Sequence, residues 1–193
     1  DTTMSRQAKT YVTPEEYLAF ERQAEYKNEY FDGEIFAMVG ASRKHNLINV
    51  NIASVLNGQL KNRPCEVYGS DMRVRIPNAN LYTYPDVAVA CGEPLFEDDH
   101  VDTLLNPILI VEVLSKSTAS YDHVKKFGYY RSLASLMEYV LVAQDEYRIE
   151  QYTKQSDDHW LLTDIRSLEA VLKLGSIECV LPLAEVYRKV QLP

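Results

Sequence analysis

Glu112 stands inside Ile108-Leu109-Ile110-Val111-Glu112-Val113-Leu114. This aliphatic run is β-branched enough to be a strand buried on both faces. An ionised carboxylate in such a place costs several kcal/mol unless a cation or strong donors meet it. A metal ion is one such partner. Upstream, a second strand-like run, Pro85-Asp86-Val87-Ala88-Val89-Ala90, carries a carboxylate at its mouth. Pro85 restricts Tyr84 to extended geometry. Asp86, Ala88 and Ala90 share one strand face, where the small neighbours leave room for an ion or a phosphate. Two carboxylates on neighbouring strands, separated by a long loop, are what a Mg²⁺-dependent phosphodiesterase site requires.

Further groups are placed to assist. Lys126 lies in the helix expected directly after the Glu112 strand, one turn beyond Asp122. Such a helix packs back over the sheet and returns a lysine to the acids, where it orients or deprotonates water and offsets phosphate charge. An ordinary Asp122–Lys126 pair on a solvated helix face is the competing assignment, and Lys125 and Lys116 are the alternative lysines. Glu34 opens a strand after a tight turn and offers a third carboxylate, against the plainer role of an exposed strand residue. His45 is too isolated for a zinc site. At the start of a helix it either points at the sheet mouth, touching phosphate or water, or is a core histidine. Asp71, Arg73 and Arg75 alternate with Met72, Val74 and Ile76. They form a solvated face or, alternatively, phosphate contacts with Asp71 in support.

These residues need elements to hold them. Thr13-Pro14-Glu15-Glu16 reads as a capping box with proline at the first helical position, opening a helix that ends near Ala24. Asp32-Gly33, between Glu29-Tyr30-Phe31 and Glu34-Ile35-Phe36-Ala37-Met38, is a hairpin signal. Ile48, Ile52, Val55, Leu56 and Leu60 form one stripe of a helix from about Ser42 to Leu60. Glu66–Tyr68 and Met72–Ile76 read as strands, and Pro77–Tyr84 as a turn-rich connection. The two acid-bearing strands follow, separated by an acidic loop. Next come a helix over about Tyr121–Ala134, a strand over Glu138–Ala143, and a hairpin of Arg148–Thr153 with Trp160–Ile165. A short helix over Leu181–Val190 closes the chain. The order implies one α/β domain, a mixed sheet flanked by helices, over residues 4–193. Met4 reads as the native start and Asp1–Thr3 as extraneous.

The chain has 193 residues, of which 46% are hydrophobic and 25% charged, ordinary for one soluble domain. No apolar run approaches membrane-spanning length, and the polar N-terminus shows no secretory signal. Cys65, Cys91 and Cys179 are odd in number, widely spaced and without a C-x-x-C, which implies reduced thiols in a cytoplasm. The net charge of −8 opposes polyanion binding, so a DNA partner requires a local basic patch.

In order, Asp32-Gly33-Glu34, His45, Ser70-Asp71-Met72-Arg73, Pro85-Asp86-Val87, Glu112-Val113-Leu114-Ser115 and Asp122-x-x-x-Lys126 resemble the Uma-two family of restriction-endonuclease-like proteins. That family belongs to the PD-(D/E)XK nuclease superfamily and is common in cyanobacteria. The likeness runs from about Tyr11 to Val190. It implies a restriction-endonuclease-like fold and metal-dependent hydrolysis of DNA. Asp86, Glu112 and the Val113 carbonyl would hold Mg²⁺, with Mn²⁺ as a substitute. Glu34 would be the early acid, and Lys126 would assist the attacking water. The lysine that many superfamily members carry two residues after the second acid is here Leu114. The family's serine-proline-serine-threonine stretch reads Ser115-Lys116-Ser117-Thr118. The resemblance also implies a homodimer. Two other functions compete: a catalytically silent nucleic-acid-binding or assembly module on the same fold, and a metal-dependent hydrolase of a smaller phosphate ester. An open basic groove favours the nuclease, and a narrow closed pocket the smaller ester.

Overall fold

The computed structural model describes residues 9–114 and 122–193, without the side chains of Asp122 and His123. Helix α1 (Pro14–Glu21) begins at the capping box: the Thr13 hydroxyl accepts from the Glu16 N–H while the Glu16 carboxylate accepts from the Thr13 N–H. It stops at Glu21, short of Ala24, where three-residue turns take over the last carbonyls. Strands β1 (Asn28–Phe31) and β2 (Glu34–Ala37) pair across Asp32-Gly33. Both turn residues have positive φ, 41° and 95°, as a tight two-residue hairpin turn requires. A Cβ at Gly33 would lie 2.1 Å from the Tyr11 ring, so only glycine fits. Helix α2 (Arg43–Leu60) starts at Ser42, whose hydroxyl accepts from the His45 N–H.

Strands β3 (Cys65–Tyr68) and β4 (Arg73–Ile76) follow. The connection expected to be all turn contains β5 (Leu81–Thr83), which pairs with both β1 and β4. Then come β6 (Val87–Cys91), β7 (Thr103–Leu104) and β8 (Leu109–Leu114). Helix α3 (Asp122–Tyr130) ends one turn before Ala134. Strands β9 (Glu138–Ala143), β10 (Ile149–Ser156) and β11 (His159–Ile165) lead to β12 (Val171–Leu174) and β13 (Cys179–Pro182). Helix α4 (Leu183–Val186) is shorter than the expected Leu181–Val190 helix, because Leu181 is consumed by pairing with Leu172.

The expected mixed sheet is present as a six-stranded sheet in the order β11-β10-β9-β8-β6-β3, parallel only between β8 and β9. A five-stranded sheet, β2-β1-β5-β4-β7, and the β12-β13 hairpin accompany it. Alternation divides the central strands between two cores. Val87, Val89, Leu109, Val111, Val113, Val140 and Val142 pack with α2, α4 and the β12-β13 hairpin. Ala88, Ala90, Ile110, Tyr139 and Leu141 pack with α3 and the five-stranded sheet. Both faces are covered, which is why these strands are continuously apolar. The other face of the five-stranded sheet meets α1 through Tyr17, Tyr30 and Tyr82.

The cysteines differ from expectation. Cys65 and Cys91 face each other across β3 and β6 and are joined by a disulfide, leaving Cys179 as a buried thiol. Spacing in the chain carries no record of cross-strand register, so the pair was invisible in the sequence. The thiol argument for a reducing compartment falls with it. No described helix is long and apolar enough to cross a membrane.

Candidate active site

The register of β6 and β8 brings the two acids together. Val87 pairs with Val111 and Ala88 with Ile110, so one further step sets Asp86 opposite Glu112. Both lie on the face that carries Ala88 and Ile110, at the end of the sheet where α2 and α3 meet it. Asp86 accepts three hydrogen bonds. The Val113 N–H donates to Oδ2 at 2.7 Å, His45 Nε2 approaches the same oxygen at 3.3 Å, and Asn49 Nδ2 donates to Oδ1 at 3.2 Å. Burial pushes its pKa up, but the His45, Val113 and Asn49 bonds outweigh burial and hold it below the usual carboxylate range. His45 is raised in turn, chiefly by its bond to Asp86 and against desolvation.

Glu112 is in the opposite condition. Its Oε1 accepts from the Tyr130 hydroxyl at 2.9 Å, and Lys126 Nζ lies 3.7 Å from Oε2. Burial pushes its pKa up to about 7; Lys126 opposes this, and the charges of Asp86 and Glu29 add to it. Among the described groups, Lys126 therefore offsets only part of what burial and the neighbouring carboxylates do to Glu112.

The third carboxylate is Glu29. Lys126 Nζ lies 3.7 Å from its Oε1, which also accepts from the Thr83 hydroxyl at 2.8 Å. Glu34 does not join the cluster. It pairs with Phe31 while Glu29 pairs with Phe36, so Glu34 sits two residues further along the hairpin. There its half-exposed carboxylate meets Lys9 at 2.9 Å.

His45, Asp86, Glu112, Val113 and Lys126 line one cleft of about 940 Å³, and Glu29, Asn49 and Tyr84 line it with them. Asp71 and Arg73 do not. Asp71 precedes β4 and is an exposed partner of Lys27 at 3.0 Å. Arg73 is 4% exposed, neither a solvated residue nor a phosphate contact. It donates to Thr103 and Tyr84 at 2.9 Å and meets Asp102 at 3.0 Å. The cause is α1, which covers this sheet face. Arg75 lies over the Tyr82 ring there, 4.2 Å from its centroid. Lys116 lies outside the described residues, and Asp122 is described only as the first residue of α3. Lys125 is exposed and is not among the residues lining the cleft.

The sequence reading missed Glu29, Asn49 and Tyr130. Asn49 had a signal: it lies one helical turn after His45, a polar residue beside the apolar stripe. Glu29 and Tyr130 had none, because only the packing of the hairpin and α3 around β8 brings them in.

The donor set suits a hard divalent cation. Asp86, Glu112 and the Val113 carbonyl are oxygen ligands of the type Mg²⁺ takes while keeping waters and substrate phosphate. Among the described residues, neither the buried acceptor Asn49 Oδ1 nor His45 Nδ1 finds a hydrogen-bond partner. Both belong to residues lining this cleft. Among the described residues no group of three or more His, Cys, Asp or Glu is placed to hold a metal ion by itself. The arrangement fits an ion held by two carboxylates and completed by other ligands.

Comparison with known proteins decides the family. The family model described as "Uma2: Putative restriction endonuclease" matches residues 14–183. The chain belongs to the Uma2 family. An uncharacterized Synechocystis protein is 42% identical over 164 residues, which are 85% of this chain and 93% of that protein. A second one is 37% identical over 177 residues, 92% of each chain. The fold is similar to that of a crystal structure described as a putative nuclease belonging to DUF820 from Anabaena variabilis. The TM-score is 0.76 at 19% identity, over 93% of this Uma2 chain and 99% of that one.

Proposed function

We propose that this Uma2 protein is a Mg²⁺-dependent DNA endonuclease whose site is the cleft floor formed by Asp86, Glu112 and Lys126. The observation that carries this reading is the pairing of two carboxylates of opposite condition across β6 and β8. Asp86 is held ionised by three donors, while Glu112 is buried beside it and pushed up to about 7 by desolvation and neighbouring negative charge. A divalent cation relieves that repulsion.

Asp86, Glu112 and the Val113 carbonyl would hold the ion. When bound, it polarises the phosphate and lowers the pKa of water. The chain's own groups do the positioning. His45 and Asn49 fix the Asp86 carboxylate, and Tyr130 fixes Glu112. Lys126, shared between Glu29 and Glu112, orients the attacking water and offsets charge on the phosphate. Ser42, Arg43 and His45 at the start of α2 also line the cleft, and the positive end of the helix dipole favours an anion there.

The test is cleavage of plasmid and oligonucleotide DNA with Mg²⁺ or Mn²⁺ by wild type, Asp86→Asn, Glu112→Gln and Lys126→Ala. The expected result is cleavage by wild type only, with Lys126→Ala slowed more than its metal binding is weakened. Full activity in both acid variants would remove the site. A folded wild type that binds metal and oligonucleotide without cutting would make this a binding module.

A further inference from the structure

The mouth of the cleft is chemically unlike its floor. Tyr26 is 74% exposed, Phe36 46% and Val39 92%, and all three line the cleft. The hairpin ladder ties this rim to the floor. Phe36 pairs directly with Glu29, so ring and carboxylate share a face of β1-β2. The Met38 N–H donates to the Lys27 carbonyl at 3.1 Å, carrying the pairing outward to the level of Tyr26 and Val39.

The charges around this rim do not match a duplex. Lys27, Arg43, Lys126 and His45 line the cleft together with Glu29, Asp86 and Glu112, and His45 is taken up by Asp86 at 3.3 Å. Lys27 is taken up by Asp71 at 3.0 Å and the Ser70 carbonyl at 2.9 Å, and Lys126 by two carboxylates. The described lining thus lacks the cationic excess by which proteins grip a duplex backbone. It offers aromatic faces instead. A duplex keeps its base faces stacked inside, whereas an unpaired nucleotide presents both of its faces to a ring.

We propose that Tyr26 and Phe36 form a stacking platform for unpaired nucleotides, so that the substrate is single-stranded or locally opened nucleic acid. This rests on the nuclease reading of the cleft floor. A base stacked on Phe36 stands on the same hairpin face as Glu29, which directs its phosphate inward towards Lys126 and Glu112.

The test separates the platform from the chemistry. Binding of a fluorescent oligothymidylate, and of a blunt duplex, is measured in EDTA for wild type, Tyr26→Ala, Phe36→Ala and Tyr26→Phe. Cleavage of the same DNAs is then followed with Mn²⁺. Both rings are exposed, so equal melting temperatures confirm that the variants fold. The expected result is a single-strand preference of about tenfold or more, reduced about tenfold by each alanine variant and retained by Tyr26→Phe. Equal use of duplex and single strand, unaffected by the variants, would overturn the platform and leave the nuclease reading standing. Ring-dependent binding without cleavage would keep the platform and sink the nuclease. No binding and no cleavage would overturn both. Altered sedimentation of the alanine variants with unchanged DNA binding would make the rim a contact between copies, and the platform would fail.

Discussion

Two clusters of carboxylates and cations sit in different parts of this protein, and they are in opposite states. Beside the five-stranded sheet, Arg22 holds Asp98 and Asp102 at 2.9 Å, and Arg73 meets Asp102 at 3.0 Å from a position buried under α1. The Arg22 hydrogen bond, reinforced by Arg73, outweighs burial and drives Asp102 far below the usual carboxylate range. In the cleft, Lys126 stands 3.7 Å from each of two acids, Glu112 is pushed up to about 7, and Asn49 Oδ1 lacks a partner. The first cluster is closed in charge: two arginines answer two aspartates, although Arg73 Nη2 meets Asp102 as an ion pair without a hydrogen bond, and its role is to tie α1 and the acidic loop to β4. The second is open, with negative charge and an acceptor left over at the mouth of a cleft. Buried acids on their own do not mark function. Glu138 is fully buried, yet it is satisfied by Gln151 and by the Ser176 N–H at 2.7 Å. Incomplete compensation is the distinguishing mark.

Substitutions should break the two clusters in different ways. The largest effect is expected for Asp86→Asn and Glu112→Gln, which should lower metal-dependent cleavage by about a hundredfold or more. Circular dichroism and melting should show the fold intact.

Next is the pH dependence of stability in metal-free protein. Glu112 has a folded pKa raised from 4.5 to about 7, so the native state binds more protons than the unfolded state between those values. Stability should fall as pH rises through that window, by about 3 kcal/mol from this residue. Urea titrations of Glu112→Gln should lack that fall. Asp102 has the opposite sign. Its lowered pKa contributes stability that is present above the ordinary carboxylate range and lost as pH falls, so Asp102→Asn should flatten the acid limb.

Arg73→Met should destabilise by about 2 kcal/mol in urea, because Asp102 keeps Arg22 while Tyr84 and Thr103 lose a donor. Its metal affinity should match wild type. Smallest is Val101→Gly. Val101 is exposed and has φ of 57°, a strained region for a β-branched residue. Glycine there should add about 1 kcal/mol, read from the same urea curves.

What was legible follows from these contrasts. The acid-bearing strands could be read because burial on both faces forces a continuous apolar run, against which Asp86 and Glu112 stand out. Lys126 could be placed because a helix after a strand packs back on the sheet. Glu34 attracted attention through its tight turn, yet the choice between it and Glu29 depends on how the hairpin packs against β5 and α3. Arg73 was misjudged because Met72-Arg73-Val74-Arg75-Ile76 alternates like a half-solvated strand, and nothing local announces that α1 covers the polar face. The Cys65–Cys91 pair is a matter of register and was equally hidden.

Calorimetric titration of Mn²⁺ into wild type and Glu112→Ala tests the open cluster most directly. Binding in wild type that vanishes in the variant is the expected result. Equal binding by both proteins, or none in folded wild type, would contradict a cation site between β6 and β8.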